Sequence, residues 1–394
     1  MGIEFNSEQL NAVYMADSWW KHSTNQLFEI SGPAGSGKTT LLKYLIEQFG
    51  LLPSDVLFVA YTGKASTMMA RNGLPAQTAH SAFYTYEHVP KRDEKGKLVL
   101  KPNGKVDTEG KFIKKDTLDK DYSLIVIDEA SMIPEAMAKD IFSFHIPIIA
   151  VGDLNQLPPV FGNSVFLQEP DVVLTKVMRQ AEGDPIIYLA HRVLHGEPLK
   201  VGVYKNSYVI RKEDLSDFQM QSADEILTGT NRLRLAINDK FRDEYLRFKY
   251  RDFPQPGEKV VCKKNNWERK IGSGIYLTNG MTGFVEYVDK SSYRKNSFTM
   301  DFKPDFGNRE FRNLKVNYKR LMKPNEYDPE QEEYGDRFLD AFEFGYAITV
   351  HSSQGSQWES VLFMDQKAFD YDTQKRLEYT AITRARTQIG IVLQ

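Results

Sequence analysis

A single cysteine, Cys262, stands among 394 residues. No internal disulfide and no cysteine-built zinc site is therefore open to this chain, and a reducing compartment suits it. The seven histidines are scattered without metal-ligand spacing. No apolar run approaches the roughly 20 residues that cross a bilayer, and the opening MGIEFNSEQLNAVYMADSWW lacks the basic segment and apolar stretch of a signal peptide. The expectation is an intracellular, cytoplasmic protein without membrane contact. Excess charge is missing too: 51 basic against 53 acidic residues leave a net charge of −2, which argues against a surface coated with nucleic acid and leaves only a local channel for such a partner. Repeats and low-complexity tracts are absent. The length calls for two to four compact units of ordinary soluble composition.

What is present is concentrated in short motifs. The run Gly32-Pro33-Ala34-Gly35-Ser36-Gly37-Lys38-Thr39-Thr40 follows the apolar Phe28-Glu29-Ile30 and precedes Leu41-Leu42-Lys43-Tyr44-Leu45-Ile46. Strand, glycine-rich turn and helix in that order make a phosphate-binding loop. The glycines let backbone N–H groups curl around phosphates, Lys38 supplies a point charge to the β and γ oxygens, and the Thr39 hydroxyl is placed for Mg²⁺. The loop implies a nucleoside triphosphate and leaves open what its hydrolysis drives.

Apolar, β-rich runs at 27–30, 56–61, 124–127, 146–151 and 172–174 alternate with helix-like stretches at 40–49 and 64–72, the rhythm of a parallel sheet flanked by helices. A second α/β rhythm starts near Tyr208, with strands expected at 226–228, 361–363 and 389–393 and a helix over 232–250. Two segments interrupt these. KRDEKGKLVLKPNGKVDTEGKFIKKD, with turn signals at Pro102-Asn103-Gly104 and Glu109-Gly110, reads as an inserted basic hairpin, a solvated loop being the alternative. Short alternating runs at 259–262, 282–288 and 297–300, with turns at Asn279-Gly280 and Phe306-Gly307, suggest a small β-barrel. The expected division is 1–85 with 121–182, a hairpin at 86–120, 183–253 with 341–394, and an insertion at 254–340.

Ile125-Val126-Ile127-Asp128-Glu129-Ala130 is an apolar strand ending in two carboxylates. Opposite a phosphate loop, Asp128 would hold Mg²⁺ through water and Glu129 would polarise an attacking water; mere surface acids are the alternative. The segment VGDLNQLPPV at 151–160 again runs from strand into turn, where Gln156 can hydrogen-bond both a γ-phosphate oxygen and the attacking water; a Pro-terminated loop with polar decoration is the alternative.

Taken in order, Gln9, GPAGSGKTT, AYTGKAS at 60–66, TAHSAF at 78–83, IVIDEAS, VGDLNQLPPV, LTKVMRQ at 174–180, ILTGTN at 226–231, GYAITVHSSQGSQWESV at 345–361 and YTAITRAR at 379–386 resemble the motif series of superfamily 1 helicases. The likeness is greatest to the RecD and Dda group, which moves 5′ to 3′ on single-stranded DNA, and it covers nearly the whole chain apart from the two insertions. It implies an α/β fold of two RecA-like P-loop motor domains with ATP and Mg²⁺ in the cleft between them. A strand-separating hairpin would be inserted in the first domain and an SH3-like β-barrel in the second. The resemblance assigns the nucleotide to Gln9, which would read the adenine edge, to Gly32, Pro33, Ala34, Gly35, Ser36, Gly37, Lys38, Thr39 and Thr40, and to Gly355 and Gln357. Thr39 and Asp128 would hold the metal. Lys38, Glu129, Gln156, Arg179 and Arg384 would carry catalysis, the two arginines reaching the γ-phosphate, where a permanently charged, forked guanidinium suits the spreading charge. An ion pair is the alternative for Arg179, and Arg386 reads as structural.

The same likeness gives DNA-facing roles to Thr62, Lys64, Thr78, His80 and Ser81 in the first domain and to Thr228, Asn231, Thr349, His351 and Ser353 in the second. These are small donors and mild cations, fitted to grip phosphates without reading sequence; ordinary caps and turns are the alternative. Three positions depart from the pattern: Ser352 where many relatives have Lys, Met178 where an aromatic is common, and Gln357 where Glu is frequent. Candidates for the strand-separating contact are Phe83, Tyr84, Tyr86, Leu98, Val99 and Phe112. Lys259, Lys263, Lys264, Arg269 and Lys270 make the start of the barrel basic, and Trp267 is expected in its core, a stacking platform being the alternative.

The expected function is an ATP- and Mg²⁺-dependent, 5′-to-3′ single-stranded DNA translocase and helicase. It would act as a monomer on single strands and single/double-strand junctions, alongside single-strand-binding, replication or recombination proteins of a bacterial or phage-infected cell. The alternatives are a translocase subunit of a recombination complex that does not unwind by itself, and a nucleotide-switched DNA-binding module. A nuclease is unsupported, because no further carboxylate cluster has metal-ligand spacing.

Overall fold

The computed structural model describes residues 4–33, 35–93, 95–100, 104–158, 164–176, 183–246, 252–271, 275–305, 309–328, 335–367 and 370–394. Contacts divide the chain into Met1–Leu154 with Phe161–Lys176, and Asn155–Val160 with Val177–Gln394. In the first unit the apolar runs form a six-stranded, wholly parallel sheet in the order Gln77–Thr78, Val56–Ala60, Leu124–Asp128, Ile148–Gly152, Leu27–Ser31, Val172–Val173. Its central strands are buried along their length, apart from Asp128 at the end of one, which is why they read as continuous apolar runs rather than alternating ones.

Helix Lys38–Gln48 turns Leu41, Leu42, Leu45 and Ile46 onto one face of that sheet. Each such side chain contributes roughly 1.5–3 kcal/mol on burial. Helix Ser7–His22 covers the same face through Ala12 and Ala16. It starts with a capping box, in which the Asn6 side chain accepts from the Gln9 N–H at 2.9 Å and the Gln9 side chain from the Asn6 N–H at 3.1 Å. On the other face Phe83, Ile133, Met137 and Ile141 build a second core layer.

The expected basic hairpin is an antiparallel ribbon of Tyr84–Pro90 with Thr108–Lys114, continued by bridges Arg92–Leu98 and Leu100–Val106. One turn signal is corrected. Gly110 lies mid-strand opposite His88, and a Cβ there would collide with the Tyr86 ring, so this glycine is a seat for an aromatic and not a turn.

The second unit holds another six-stranded sheet, in the order Ala347–Thr349, Glu225–Thr228, Trp358–Met364, Ala385–Leu393, Ser207–Arg211, Gly202–Tyr204, parallel except at the last pair. The helix expected over 232–250 runs over Asn231–Lys240 and passes into a wider π-type turn at Phe241–Tyr245. The insertion is a five-stranded antiparallel sheet in the order Phe311–Asn317, Ser297–Pro304, Thr282–Arg294, Lys259–Cys262, Phe342–Phe344. A parallel bridge between Val316 and Asp340 ties its first strand to the residues entering its last, with Asn317 N–H donating to the Asp340 carbonyl at 2.9 Å. Phe342–Phe344, placed beyond the insertion by the sequence reading, is part of this sheet. Trp267 is not among the residues filling the core of this sheet: it sits half-buried on a separate ribbon, Asn266–Ile271 with Ile275–Leu277, its ring centroid 5.5 Å from that of Tyr276.

One polar stripe fastens the insertion to its host. Arg234, Asn238 and Arg242 recur every four residues, so they share a face of the helix and its π-type extension. Arg234 pairs with Glu343 at 2.6 Å, Asn238 donates to the Phe344 carbonyl at 2.8 Å and accepts from the Ala347 N–H at 2.8 Å, and Arg242 donates to Glu258 at 2.7 Å. Lys259 pairs with Glu225 at 2.7 Å. Both chain connections into the insertion are thus held by buried polar contacts. Among the described residues no helix is long and apolar enough to cross a membrane.

Candidate functional site

The phosphate loop emerges from the end of strand Leu27–Ser31, where the Gly32 N–H donates to the Gly152 carbonyl at 3.0 Å. A side chain at Gly32 would meet Ser36 Oγ at 2.7 Å and Leu174 Cβ at 2.9 Å, so the turn closes only without one. Gly37 (φ 84°) takes a left-handed conformation immediately before the helix, which L side chains rarely adopt. The result is a helix N-terminus preceded by backbone amides, a ready anion site. Lys38 lies back over the loop, donating to the Gly32 carbonyl at 2.6 Å and the Pro33 carbonyl at 3.0 Å. Thr39 is half-buried in the first turn, Thr40 exposed, and Ser36 buried with no hydrogen-bond partner for its hydroxyl among the described residues. Ala34 lies outside the described residues.

Asp128 ends the strand Leu124–Asp128, separated from the loop strand by Ile148–Gly152 alone. Sheet order reverses around these strands, and in open α/β sheets the carboxyl-end crevice at such a point is where ligands bind. Burial pushes the Asp128 carboxyl above its ordinary range, opposed by the Lys38 ammonium and by the Glu129 N–H, which donates to it at 2.9 Å. Glu129 sits at φ 51°, ψ 41°, a left-handed conformation that costs a non-glycine residue roughly 1–2 kcal/mol. Strain of that kind persists where the side chain must be aimed. Gln9 is buried beside the loop and donates to the Ser36 carbonyl at 3.0 Å, so the cap of the first helix and the phosphate turn share one amide. Glu8 was missed by sequence reading: it receives Thr175 N–H at 2.7 Å and Lys176 N–H at 3.0 Å, fastening the segment that leads to Arg179. Arg179 and Met178 themselves lie outside the described residues.

In the second unit Arg384 is 2% exposed. Its guanidinium donates to the Thr380 carbonyl at 3.1 Å, the Ser356 carbonyl at 3.2 Å and Thr383 Oγ1 at 3.2 Å, and no acidic side chain among the described residues pairs with it. Gln156 is buried in the same unit, with its carbonyl accepting from Arg376 at 3.3 Å. Gly355 is left-handed (φ 71°). Gln357 receives Arg386 at 3.4 Å, and Arg386 pairs with Glu359 at 3.6 Å, a surface arrangement.

The residues expected to face DNA gather at carboxyl ends of neighbouring strands in each sheet. Thr62 caps the helix after Val56–Ala60, accepting from Ala65 N–H at 3.2 Å, and Thr78 at the end of the adjoining strand accepts from Ser81 N–H at 3.3 Å. Lys64 and Ser81 sit in those first turns. In the second unit Thr228 and Thr349 end adjoining strands, Asn231 opens the next helix, and Thr349 Oγ1 lies 2.9 Å from Ser352 Oγ. Thr228 and Ser353 are fully buried, their hydroxyls donating to the Thr230 carbonyl at 3.1 Å and the Val350 carbonyl at 2.7 Å, so they shape the turns from behind. Burial lowers the pKa of His80 and of His351, which disfavours their charged forms. The His80 ring packs at a tilt against Phe112, centroids 4.7 Å apart.

Of the strand-separating candidates, Phe83 is core, Tyr84 donates to Asp140 at 2.6 Å, and Phe112 packs on His80; Tyr86 and Leu98 remain exposed, joined by Leu100, which the sequence reading omitted. Among the described residues no three His, Cys, Asp or Glu side chains form a metal cluster.

Residues 4–214 match the family described as an AAA domain, and residues 344–392 match the UvrD-like helicase C-terminal domain. The chain is 26% identical over 384 residues to the ATP-dependent RecD2 DNA helicase of Deinococcus radiodurans, covering 92% of this chain and 46% of that protein. It is 26% identical over 259 residues to the ATP-dependent DNA helicase PIF1 of Trypanosoma brucei brucei, covering 61% of this chain and 24% of that one. The chain thus spans less than half the length of these curated relatives. Among solved structures, the Pif1 helicase from Bacteroides in complex with ADP-AlF3 and single-stranded DNA shares the fold at a TM-score of 0.53 and 18% identity, covering 99% of this chain and 92% of that chain.

Proposed function

Because the chain belongs to the RecD/Pif1 family of superfamily 1 helicases, with its AAA domain at residues 4–214, we propose that it is an ATP-dependent, 5′-to-3′ single-stranded DNA translocase and helicase. The observation that carries the reading is Arg384, a buried guanidinium held, among the described residues, by carbonyls and a hydroxyl and by no acidic side chain. A charge taken from water without a counter-ion is costly, and the anion it suits is the phosphoryl group whose charge spreads as it is transferred.

In this reading the loop Gly32–Thr40 cradles the triphosphate and Lys38 exchanges its carbonyl partners for phosphate oxygens. Glu129 orients and polarises the attacking water, and Gln156 with Arg384 engages the γ-phosphate. Thr39 and Asp128 would hold Mg²⁺, a hydroxyl and a carboxylate beside phosphate oxygens being the oxygen-rich, partly hydrated set that ion takes. Held there, the ion would supply positive charge to offset that of the triphosphate. The paired turns at Thr62 and Thr78, and at Asn231 and Thr349, would grip the phosphates of a single strand, as the ligands of the Bacteroides relative suggest. The ribbon of Tyr84–Pro90 with Thr108–Lys114 would separate strands with exposed Tyr86 or Leu98, and the insertion would be the SH3-like barrel. Polarity follows from the family likeness.

The test is ATP hydrolysis with and without single-stranded DNA. The wild-type chain should turn over many ATP molecules and be stimulated by the strand. Lys38→Ala should lose nucleotide binding. Glu129→Gln should keep it and hydrolyse about 10²- to 10⁴-fold more slowly, the usual worth of a positioned base. Wild-type turnover by Glu129→Gln would overturn the assignment, and less than one ATP per protein would favour a nucleotide-switched binding module.

A further inference from the structure

We infer that Thr380 is a positioning residue that sets Gln156 and Arg384 in one register, so that both address the same phosphate together; this rests on the ATP-hydrolysing reading above. The residue next to Gln156 is the anchor. Leu157 is buried with its side chain in the hydrophobic core of the second unit. Its main chain is gripped on both sides by side chains: the N–H donates to Thr380 Oγ1 at 3.0 Å, and the carbonyl accepts from Gln354 Nε2 at 2.6 Å. A segment that continues from strand Ile148–Gly152 of the first unit is therefore seated as part of the second.

Thr380 serves both groups at once. It lies on helix Tyr371–Ile382 with no exposed surface, and its carbonyl accepts from Arg384 Nε at 3.1 Å and from Thr383 Oγ1 at 3.1 Å. Arg384 Nη2 donates in turn to Thr383 Oγ1 at 3.2 Å, and Nη1 to the carbonyl of Ser356, two residues past Gln354, at 3.2 Å. One helical turn thus fixes the direction of the guanidinium through its carbonyl and the seat of the Gln156 segment through its hydroxyl. The chemical requirement is an acceptor at Oγ1. A methyl in its place would leave the buried Leu157 N–H unsatisfied and let the segment shift, and displacement of a reacting group by about 1 Å costs on the order of 10²-fold in rate.

Thr380→Val keeps shape and burial while removing the acceptor, whereas Thr380→Ser keeps the acceptor. Steady-state ATP hydrolysis at saturating single-stranded DNA is compared for both with the wild-type full chain, together with the KM for ATP, DNA affinity and a thermal melt. Thr380→Val is expected to lower kcat by about tenfold or more, a barrier change of about 1.4 kcal/mol, with KM and DNA affinity within about twofold, and Thr380→Ser should restore kcat. A kcat for Thr380→Val near wild type, or an equal loss in Thr380→Ser, overturns the inference. If Thr380→Val does not fold, Gln354→Met removes the opposite grip on Leu157: a kcat loss at constant KM supports the relay, and an unchanged kcat overturns it. Glu129→Gln run alongside separates the two levels, since normal hydrolysis by that variant would sink the ATP-hydrolysing reading itself.

Discussion

Replacing Arg384 by alanine is expected to lower strand-stimulated ATP hydrolysis by about 10³-fold or more, because guanidinium fingers in related triphosphatases are worth ~10³ to 10⁵ in rate. Nucleotide binding should survive, since the loop, Lys38 and the Asp128–Glu129 pair belong to the first unit. The physical basis is the imbalance at Arg384. Three of its five N–H donors meet the Thr380 and Ser356 carbonyls and the Thr383 hydroxyl, but nothing neutralises its charge among the described residues. Carbonyl dipoles fix where the fork points without cancelling what it carries. Arg384→Lys should rescue little, because an ammonium is a point charge and cannot hold the Thr380 and Ser356 carbonyls while presenting a planar fork to phosphate. Steady-state hydrolysis and nucleotide affinity, measured on the same preparations, check this. Normal turnover by Arg384→Ala would mean that the second unit does not act on the phosphate.

Glu258→Gln should destabilise the second unit by about 3–5 kcal/mol, the cost of leaving a buried charge without its partner. Glu258 has no exposed surface and accepts from Arg242 Nε at 2.7 Å, from the Gln255 N–H at 2.7 Å and from the Tyr346 hydroxyl at 3.4 Å. Burial and the Glu258 charge both hold the Tyr346 hydroxyl above its ordinary pKa, so that it stays a donor. With glutamine in place, the guanidinium of Arg242 keeps an amide oxygen as acceptor, the Phe344 ring 4.1 Å beneath it and the Phe253 carbonyl at 3.4 Å, but loses the negative charge of Glu258. Denaturant unfolding should show the transition of the second unit moving to lower concentration while that of the first stays put. Replacing the pair together, Arg242→Met with Glu258→Leu, should recover most of the loss, because the desolvation cost of both ions disappears at once. Equal stability of Glu258→Gln and wild type would mean that the stripe does not fasten the insertion.

The two large sheets were legible in the sequence because buried parallel strands must be continuously apolar, as at 124–127 and Ile148–Gly152. The phosphate loop was legible because its backbone path demands glycine at fixed places. Misreadings have local causes. Glu109-Gly110 has turn composition, but the glycine is there to make room for the Tyr86 ring across the ribbon, a tertiary reason that no local pattern carries. Trp267 alternates like a core residue yet lies on the two-stranded ribbon beside Tyr276. Thr380 and Gln354 went unnoticed because a buried hydroxyl and amide are ordinary until their partner is seen to be the residue next to Gln156. Glu129 offered one further clue only in three dimensions, its left-handed backbone.

A DNA duplex with a 5′ single-stranded tail, offered beside its 3′-tailed counterpart, tests most directly whether this chain turns hydrolysis into strand separation. ATP and Mg²⁺ should drive release of the strand from the 5′-tailed duplex only, and Glu129→Gln should abolish that release. Brisk strand-stimulated hydrolysis with neither duplex opened would contradict the helicase reading and leave a translocase, and opening of the 3′-tailed duplex alone would reverse the polarity.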